Sequence, residues 1–215
     1  MLISGYYIQG LDLGEIYHTL NDSQKRDIAN ELVAIQRKVA TLPIEPKEMY
    51  VYPSMEHENK IAEYREQIMQ KKLFDVGICD KAAEVFKTHE EYFANIQPVA
   101  FLDDISTRNV LVHEGKLVGI VDIDEMGYGD PLLIIGLTNM ALLAMEADTM
   151  YIDYWLDAMS ADKIQRKVVT FYTLLFCIDF MCEQGVSFSN DNIVPVNPKK
   201  VELLNSIFNK LFAAV

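Results

Sequence analysis

The chain has 215 residues, half of them hydrophobic and 24% charged, with a net charge of −13 and a pI near 4.7. This acidity disfavours nucleic acid or an anionic membrane as a partner, because binding to phosphate groups needs a basic surface. It suits a cationic ligand, although acidity also favours solubility by itself. No low-complexity tract interrupts the sequence, so we expect one compact domain over residues 1–215.

No export or membrane signal is visible in the sequence. Residues 1–5 lack basic residues and a cleavage pattern. The longest apolar stretches, 131–145 and 168–178, are shorter than the ~20 residues that span a bilayer. Three cysteines without C-x-x-C spacing are typical of reduced thiols. We therefore predict a cytoplasmic protein.

The chain opens with a predicted strand and a predicted amphipathic helix. Residues 2–8 are β-branched and aromatic and end at Gly10, as in a strand. If this apolar strand has an open edge, it favours a homodimer through edge pairing. Asn21 then provides a helix cap, and apolar residues recur at three- and four-residue spacings over residues 24–42. Pro43 ends the helix.

The remainder of the chain is mainly helical by its patterns. Asp130 followed by Pro131 is a strong helix start, since aspartate caps a helix and proline fits its first position. Residues 44–56, rich in turn formers, predict a loop. Helices are predicted over residues 57–72, 80–96, 132–145, 151–159, 160–183 and 198–212. The predicted fold class is α+β, mainly α-helical.

A β-hairpin is predicted in the middle of the chain. The β-rich runs 109–112 and 117–122 flank the connection His113-Glu-Gly-Lys116, and a short glycine-containing connection between apolar runs is typical of a hairpin. Asn109 and Asp122 stand at comparable distances from the turn. Both therefore lie at the open end of the hairpin.

Further carboxylates lead to the same end. Asp103 and Asp104 precede Asn109 on an irregular segment, which brings them near Asp122. Carboxylate and amide oxygens, with substrate phosphates, are ligands that Mg²⁺ prefers. A separate carboxylate beside the metal can orient or deprotonate an attacking hydroxyl. This combination indicates phosphoryl transfer.

These residues carry a family resemblance. Asp104-x-x-x-x-Asn109 followed by Asp122 resembles the catalytic loop and metal-binding aspartate of the kinase-like superfamily. The longer pattern Asn-Val-Leu-Val, Gly-Ile-Val-Asp-Ile-Asp and Gly-Tyr-Gly-Asp-Pro resembles the aminoglycoside phosphotransferase family, which shares its fold with choline and homoserine kinases. The resemblance implies the C-terminal lobe of a protein-kinase-like fold with a small catalytic hairpin.

The resemblance also implies roles for single residues. It makes Asp104 the catalytic base, Asn109 and Asp122 the Mg²⁺ ligands, and Asp130 a support at the start of the next helix. ATP or GTP would be the phosphate donor. The acceptor would be a hydroxyl of a small molecule, and the acidic chain suits a cationic one.

Four neighbouring positions complete the predicted site. Family members usually have histidine two residues before the catalytic aspartate, where this chain has Leu102. Asp103 is the alternative base if the register is shifted by one. Arg108 either contacts a phosphate or pairs with a carboxylate of the loop, and the ion pair is favoured because adjacent strand residues point to opposite faces. Asp124, on the same strand face as Asp122, either adds an outer-sphere metal contact or simply ends the strand.

The nucleotide-binding lobe of such an enzyme is not found in the sequence. There is no glycine-rich phosphate loop, and residues 1–10 resemble only its last strand and the hinge, with residues 11–215 forming the helical lobe. A truncated kinase, a short form that borrows a partner's lobe, and a non-catalytic binding module are three alternatives. A zinc site or a serine hydrolase has little support, since the histidines are scattered and no G-x-S-x-G occurs.

Overall fold

The computed structural model describes residues 8–43, 50–51, 57–123, 126–185 and 194–215. Its helices are α1 (Leu13–Ile16), α2 (Asp22–Val39), α3 (His57–Lys71), α4 (Gly77–Thr88), α5 (Glu90–Ala94), α6 (Leu132–Ala144), α7 (Met150–Met159), α8 (Lys163–Cys182) and α9 (Pro198–Ala214). Its strands are β1 (Leu11–Asp12), β2 (Tyr50–Val51), β3 (Val99–Phe101), β4 (Val110–His113), β5 (Lys116–Ile120) and β6 (Gly127–Gly129). The predicted class, α+β and mainly helical, is confirmed.

Helix α2 begins where the sequence predicts it. The Asn21 side chain accepts a hydrogen bond from the backbone N–H of Gln24, and the Gln24 side chain accepts one from the backbone N–H of Asn21, both at 3.0 Å. This reciprocal capping box satisfies two N–H groups that a helix start otherwise leaves without partners. Ile28 and Leu32 are fully buried on the inner face of the helix.

The predicted hairpin is formed by β4 and β5. These antiparallel strands pair His113 with Lys116, and the two turn residues between them have positive φ angles, 51° at Glu114 and 75° at Gly115. Two positive φ angles define the type I′ turn, whose twist matches that of the strands. Strand β1 pairs antiparallel with β4 and completes a three-stranded sheet.

A second small sheet lies beside the hairpin, in the order β2-β6-β3. Strand β3 runs antiparallel to β6, and Ala100 pairs with Tyr128. Strand β2 runs parallel to β6. It lies within residues 44–56, where the sequence predicts a loop, so that prediction is wrong for residues 50–51. The rest of the segment lies outside the described residues. These strands have two or three residues, too few for a readable alternation.

Helix α8 lies at the centre of the helical region, packed against α6, α9, α3 and α4. Its start at Asp162 has the same capping box as α2, closed by Gln165. Helix α6 approaches it closely: a Cβ atom at Gly136 would lie 2.4 Å from the Cβ of Tyr172. One continuous cluster of buried side chains runs from Leu13 in α1 to Phe208 in α9.

Several predicted bounds differ from the structure. The helix predicted over residues 80–96 is divided into α4 and α5 at His89, whose ring Nδ1 lies 3.0 Å from the carbonyl oxygen of Val85. Residues 1–7 of the first predicted strand lie outside the described residues, so its proposed pairing stays a prediction. All three cysteines are buried free thiols. Among the described helices, none has the length and apolar character needed to cross a membrane.

Candidate active site

The loop between β3 and β4 carries Asp103 and Asp104. Its first residue, Leu102, is hydrogen-bonded to helix α2. Leu102 is only 6% exposed. Its backbone N–H donates to Oε1 of Gln36, and its carbonyl oxygen accepts from Nε2 of Gln36, both at 2.9 Å. A single side chain in α2 thus satisfies both backbone groups of the residue at which the loop begins.

The far end of the loop is held by the β1–α1 turn. The backbone N–H of Gly14 donates to the carbonyl oxygen of Thr107 at 2.7 Å. A Cβ atom at Gly14 would lie 3.2 Å from that oxygen, so glycine suits this close approach. Oδ1 of Asp12 accepts from the backbone N–H of Asn109 at 3.2 Å.

Asn109 and Asp122 meet at the open end of the hairpin. Val110 pairs with Ile120, and the N–H of Val121 donates to the carbonyl oxygen of Asn109 at 3.0 Å. Asn109 therefore lies across from Val121, and Val121 is the residue before Asp122. Both have left-handed backbone, with φ angles of 64° and 56°. Asn and Asp tolerate this conformation better than most residues, and strained backbone is common at functional sites.

Asp104 contacts Asn109 directly. Nδ2 of Asn109 lies 2.8 Å from Oδ2 of Asp104 and 3.0 Å from its carbonyl oxygen, and it donates to both. The Asp104 carboxylate is otherwise exposed to solvent. One carboxylate oxygen is therefore fixed by the amide, while no described residue donates to the other.

The donor atoms at this end of the hairpin fit Mg²⁺. Because Nδ2 of Asn109 is occupied by Asp104, its Oδ1 is the atom left for a cation, and no described residue donates to it. Asp122 follows in the exposed connection after β5. Within the described ranges no three His, Cys, Asp or Glu side chains are grouped to hold a metal. Phosphate and water oxygens would complete the coordination.

Asp130 lies away from the hairpin, at the start of α6. It is 5% exposed, and its Oδ1 accepts from the N–H of Leu132 at 3.0 Å. Its Oδ2 accepts from the hydroxyl groups of Tyr172 at 3.0 Å and Tyr92 at 3.1 Å. Burial raises the pKa of the Asp130 carboxyl, and these three donors oppose that rise. The residue joins α5, α6 and α8.

The remaining predicted site residues differ in their exposure to solvent. Asp103 is half-buried and Asp104 is exposed, so Asp104 has the better access for a substrate. Arg108 is exposed and forms no ion pair with a carboxylate that the structure describes, so its pairing stays a prediction. Buried Thr107 and half-buried Asn109 on either side face inward and leave Arg108 in solvent. Asp124 lies outside the described residues.

Sequence reasoning missed the three residues that hold the loop, Gln36, Asp12 and Gly14. Gln36 had a readable signal: it lies four residues after Leu32 and three after Val33, hence on the buried face of α2, where a polar side chain needs a partner. Asp12 and Gly14 had none, because their partners are about 95 residues away in the sequence.

Comparison with known proteins shows the family of the chain. A model described as the phosphotransferase enzyme family matches residues 2–163. The chain belongs to this family. The resemblance inferred from the catalytic-loop residues is thereby confirmed. A search of curated proteins finds no match.

Solved structures of phosphotransferases share the fold. A GDP complex of a mutant aminoglycoside 2′-phosphotransferase-IIIa matches with a TM-score of 0.70 at 18% identity, covering 97% of this chain and 70% of that one. The gentamicin complex of APH(2″)-IIa gives 0.62 at 16% identity, covering 95% and 68%. A choline/ethanolamine kinase family protein from Mesorhizobium loti gives 0.63 at 18% identity, covering 97% and 66%. The fold is therefore the kinase-like fold of these enzymes, and the chain spans about two thirds of their length.

Proposed function

We propose that this chain carries the catalytic lobe of an ATP- or GTP-dependent phosphotransferase that acts on a hydroxyl group of a small molecule. The observation that supports it is the contact between Asn109 and Asp104 beside Asp122 at the open end of the hairpin. Family membership supports phosphoryl transfer as the reaction class. Complexes of similar structures with GDP, ADP and AMP-PNP support a nucleotide as the donor.

Asp104 is the proposed base. Its Oδ2 accepts from Asn109, which leaves Oδ1 to accept a hydrogen bond from the substrate hydroxyl. As the bond between the hydroxyl oxygen and the γ-phosphorus of the nucleotide forms, the bond from that phosphorus to the bridging oxygen breaks, the nucleoside diphosphate leaves, and the hydroxyl proton passes to Oδ1. The fixed orientation of the carboxylate keeps that oxygen directed at the substrate and lowers the entropic cost of alignment.

Asn109 and Asp122 are the proposed Mg²⁺ ligands, through Oδ1 and the carboxylate. When bound, the ion neutralises charge on the phosphate groups. Asp124 remains a candidate for an outer-sphere contact, and Asp130 a support for the lobe. Residues 1–215 would form one domain, in which residues 1–10 correspond to the last strand of a nucleotide-binding lobe and the hinge.

The acceptor is proposed as a cationic small molecule in the cytoplasm. The net charge of −13 favours a cation, and similar structures are complexes with gentamicin, streptomycin and hygromycin B. An aminoglycoside, choline or another amino alcohol fits the same argument.

The test is calorimetric titration of Mg²⁺·ATP and Mg²⁺·GTP into the purified chain and two variants. Asp122→Asn keeps the size and left-handed tolerance of the residue but removes its charge. Asp27→Asn makes the same change at an exposed position of α2 and serves as the matched control. We expect the unmodified chain to bind nucleotide and Asp122→Asn to weaken this binding at least about tenfold, the scale for loss of a metal ligand or its partner. Asp27→Asn should leave the affinity unchanged.

Two results would oppose the proposal. Equal binding by all three proteins would contradict the metal assignment. No binding by the unmodified chain, with its fold verified by circular dichroism, would favour a non-catalytic binding module over a phosphotransferase.

A further inference from the structure

Gln36 is a polar residue on the buried face of α2. It follows Leu32 and Val33 by one helical turn, and both of those are buried in the core. Its amide offers one donor and one acceptor, which match the carbonyl oxygen and N–H of Leu102 at 2.9 Å each. This is the pairing that a neighbouring strand would supply, made here by one side chain.

The pairing has a physical cause in the burial of Leu102. At 6% exposure, its backbone polar groups have little access to water, and an unpaired buried N–H or C=O is costly. Gln36 removes this cost. Helix α2 packs against α7 and buries Leu32 and Val33 in the core. The core therefore fixes the backbone position of Gln36, and the two hydrogen bonds of Gln36 fix Leu102.

The reacting group, Asp104, lies two positions after this anchor in the sequence, with only Asp103 between them. Leu102 is held by Gln36, while Asn109 is held by Asp12 at its N–H and by the ladder with Val121. Asp104 lies between the two anchors and reaches Asn109 at 2.8 Å. A shift at Leu102 would therefore move Asp104 relative to an Asn109 that stays in place.

We propose that Gln36 is a positioning residue, which holds Leu102 so that Asp104 and Asn109 keep their contact. In this chain it fixes the loop at the position where related kinases usually have histidine. The importance of this contact for phosphoryl transfer rests on the proposed function; the anchoring itself does not.

The test uses nuclear magnetic resonance on the full chain without nucleotide. It follows the exchange protection of the Leu102 amide and the side-chain amide resonance of Asn109, which reports the contact with Asp104. Gln36→Leu removes both hydrogen bonds at similar volume. Arg37→Leu is the matched control, because Arg37 also donates from α2 to a backbone carbonyl, that of Ala158 at 2.8 Å, away from the loop.

We expect Gln36→Leu to lower the protection of Leu102 by at least about tenfold, the scale for a lost hydrogen bond to a buried group. We also expect the Asn109 side-chain resonance to move towards the position of a solvent-exposed amide. Arg37→Leu should leave both unchanged. Unchanged protection in Gln36→Leu would overturn the proposal. Lost protection with an unchanged Asn109 resonance would overturn it as well, since the role would then be structural only.

The variant Gln36→Glu should restore the contact between Asn109 and Asp104 when its carboxyl is protonated. A general loss of stability would not be reversed in this way. A protonated carboxyl has one donor and one acceptor, like the amide, whereas the ionised form repels the carbonyl oxygen of Leu102. As the pH falls and the introduced carboxyl is protonated, the Asn109 resonance should therefore approach that of the unmodified chain at the same pH, a comparison that cancels the protonation of Asp104 and Asp12 in both proteins. Absence of this return in a folded variant would contradict the pairing.

The experiments distinguish failure of the anchoring role of Gln36 from failure of the proposed phosphotransferase function. If the chain binds no Mg²⁺·nucleotide but Gln36→Leu releases Asn109, the anchoring stands and the proposed function fails. If it binds nucleotide and Gln36→Leu leaves the loop unchanged, the proposed function stands and the anchoring fails.

Discussion

The side-chain amide of Asn109 donates to Asp104 twice, at 2.8 Å to the carboxylate and at 3.0 Å to the main-chain carbonyl oxygen. These residues are five apart in the sequence, and the left-handed backbone of Asn109 turns its side chain back over the loop. The contact holds the Asp104 carboxylate in a fixed orientation beside Asn109. It also leaves one oxygen of each side chain for chemistry.

Replacing the proposed base should slow the reaction without preventing nucleotide binding. Asp104→Asn keeps an oxygen that can accept from Asn109 but loses the proton acceptor, so we expect kcat to fall by roughly 10²–10⁴. Asp103→Asn is the matched control and should change kcat much less. Steady-state kinetics with Mg²⁺·ATP and a panel of amino alcohols measures both. A larger loss in Asp103→Asn would shift the catalytic register by one residue.

Substitutions of Asn109 separate backbone strain from the loss of the amide. The φ angle of 64° suits glycine but strains alanine. We therefore expect Asn109→Ala to unfold more easily than Asn109→Gly by about 0.5–1 kcal/mol, after allowing for the greater unfolded-state entropy of glycine. Both should lose Mg²⁺·nucleotide affinity equally. Urea unfolding and calorimetry measure the two effects, and equal stabilities would argue against a strained backbone at this position.

Burial of His57 should make the fold sensitive to acid. Its ring lies among aromatic rings, 4.9 Å from Phe93 and 5.4 Å from Tyr172 between centroids, and no described residue bonds its Nε2. Burial lowers its pKa from 6.5 to about 4. The unfolded chain therefore binds the proton more readily, and stability falls as the pH drops from 6.5 towards 4.

The size of this effect follows from the pKa difference. A lowering of between two and three pH units corresponds to about 3 kcal/mol of unfolding free energy once His57 is protonated. His57→Phe removes the titrating group and should retain that stability. Urea unfolding of both proteins at pH 7 and pH 4.5 gives the comparison. A difference between the two proteins that is the same at both pH values would contradict the burial of a neutral imidazole.

The ion pair between Lys25 and Asp148 should respond unequally to loss of either partner. Nζ of Lys25 lies 2.7 Å from Oδ2 of Asp148, with side-chain exposures of 6% and 49%. Asp148→Ala leaves a nearly buried ammonium group without its partner, and we expect a cost of roughly 3 kcal/mol. Lys25→Met leaves a carboxylate that water can reach and should cost roughly 1 kcal/mol. Thermal unfolding of both variants measures the two losses of stability. Equal losses would contradict the burial of the Lys25 ammonium group.

Close packing of α6 on α8 should make Gly136 intolerant of a side chain. A Cβ atom there would lie 2.4 Å from the Cβ of Tyr172 and 3.0 Å from the backbone nitrogen of Thr173. We expect Gly136→Ala to cost about 1–3 kcal/mol, because rigid atoms must move. Gly77→Ala, in α4, meets nothing closer than 3.4 Å and should be near neutral. Similar unfolding midpoints for the two variants would show that α6 and α8 separate easily.

The local sequence determined the elements with strong signals. The capping residue Asn21 and the hairpin turn at Glu114 and Gly115 lie where the sequence predicts them, because their hydrogen bonds and φ angles involve neighbours in the chain. Helix α6 begins at Leu132 with Pro131 as its N-cap, one residue after the cap predicted at Asp130. The hairpin turn also sets the pairing of His113 with Lys116, but a shift in register between Leu111 and Val112 moves the later pairs by one residue, so that Val110 pairs with Ile120.

Tertiary structure decided what connects distant segments. Strands β2, β3 and β6 exist because they pair with one another, and their two or three residues hold no periodic pattern. Gln36 meets Leu102 across 66 residues, and Asp12 meets Asn109 across 97. The exposure of Arg108 was decided in the same way: the sequence shows which charges are available, but only the folded loop decides which of them face water.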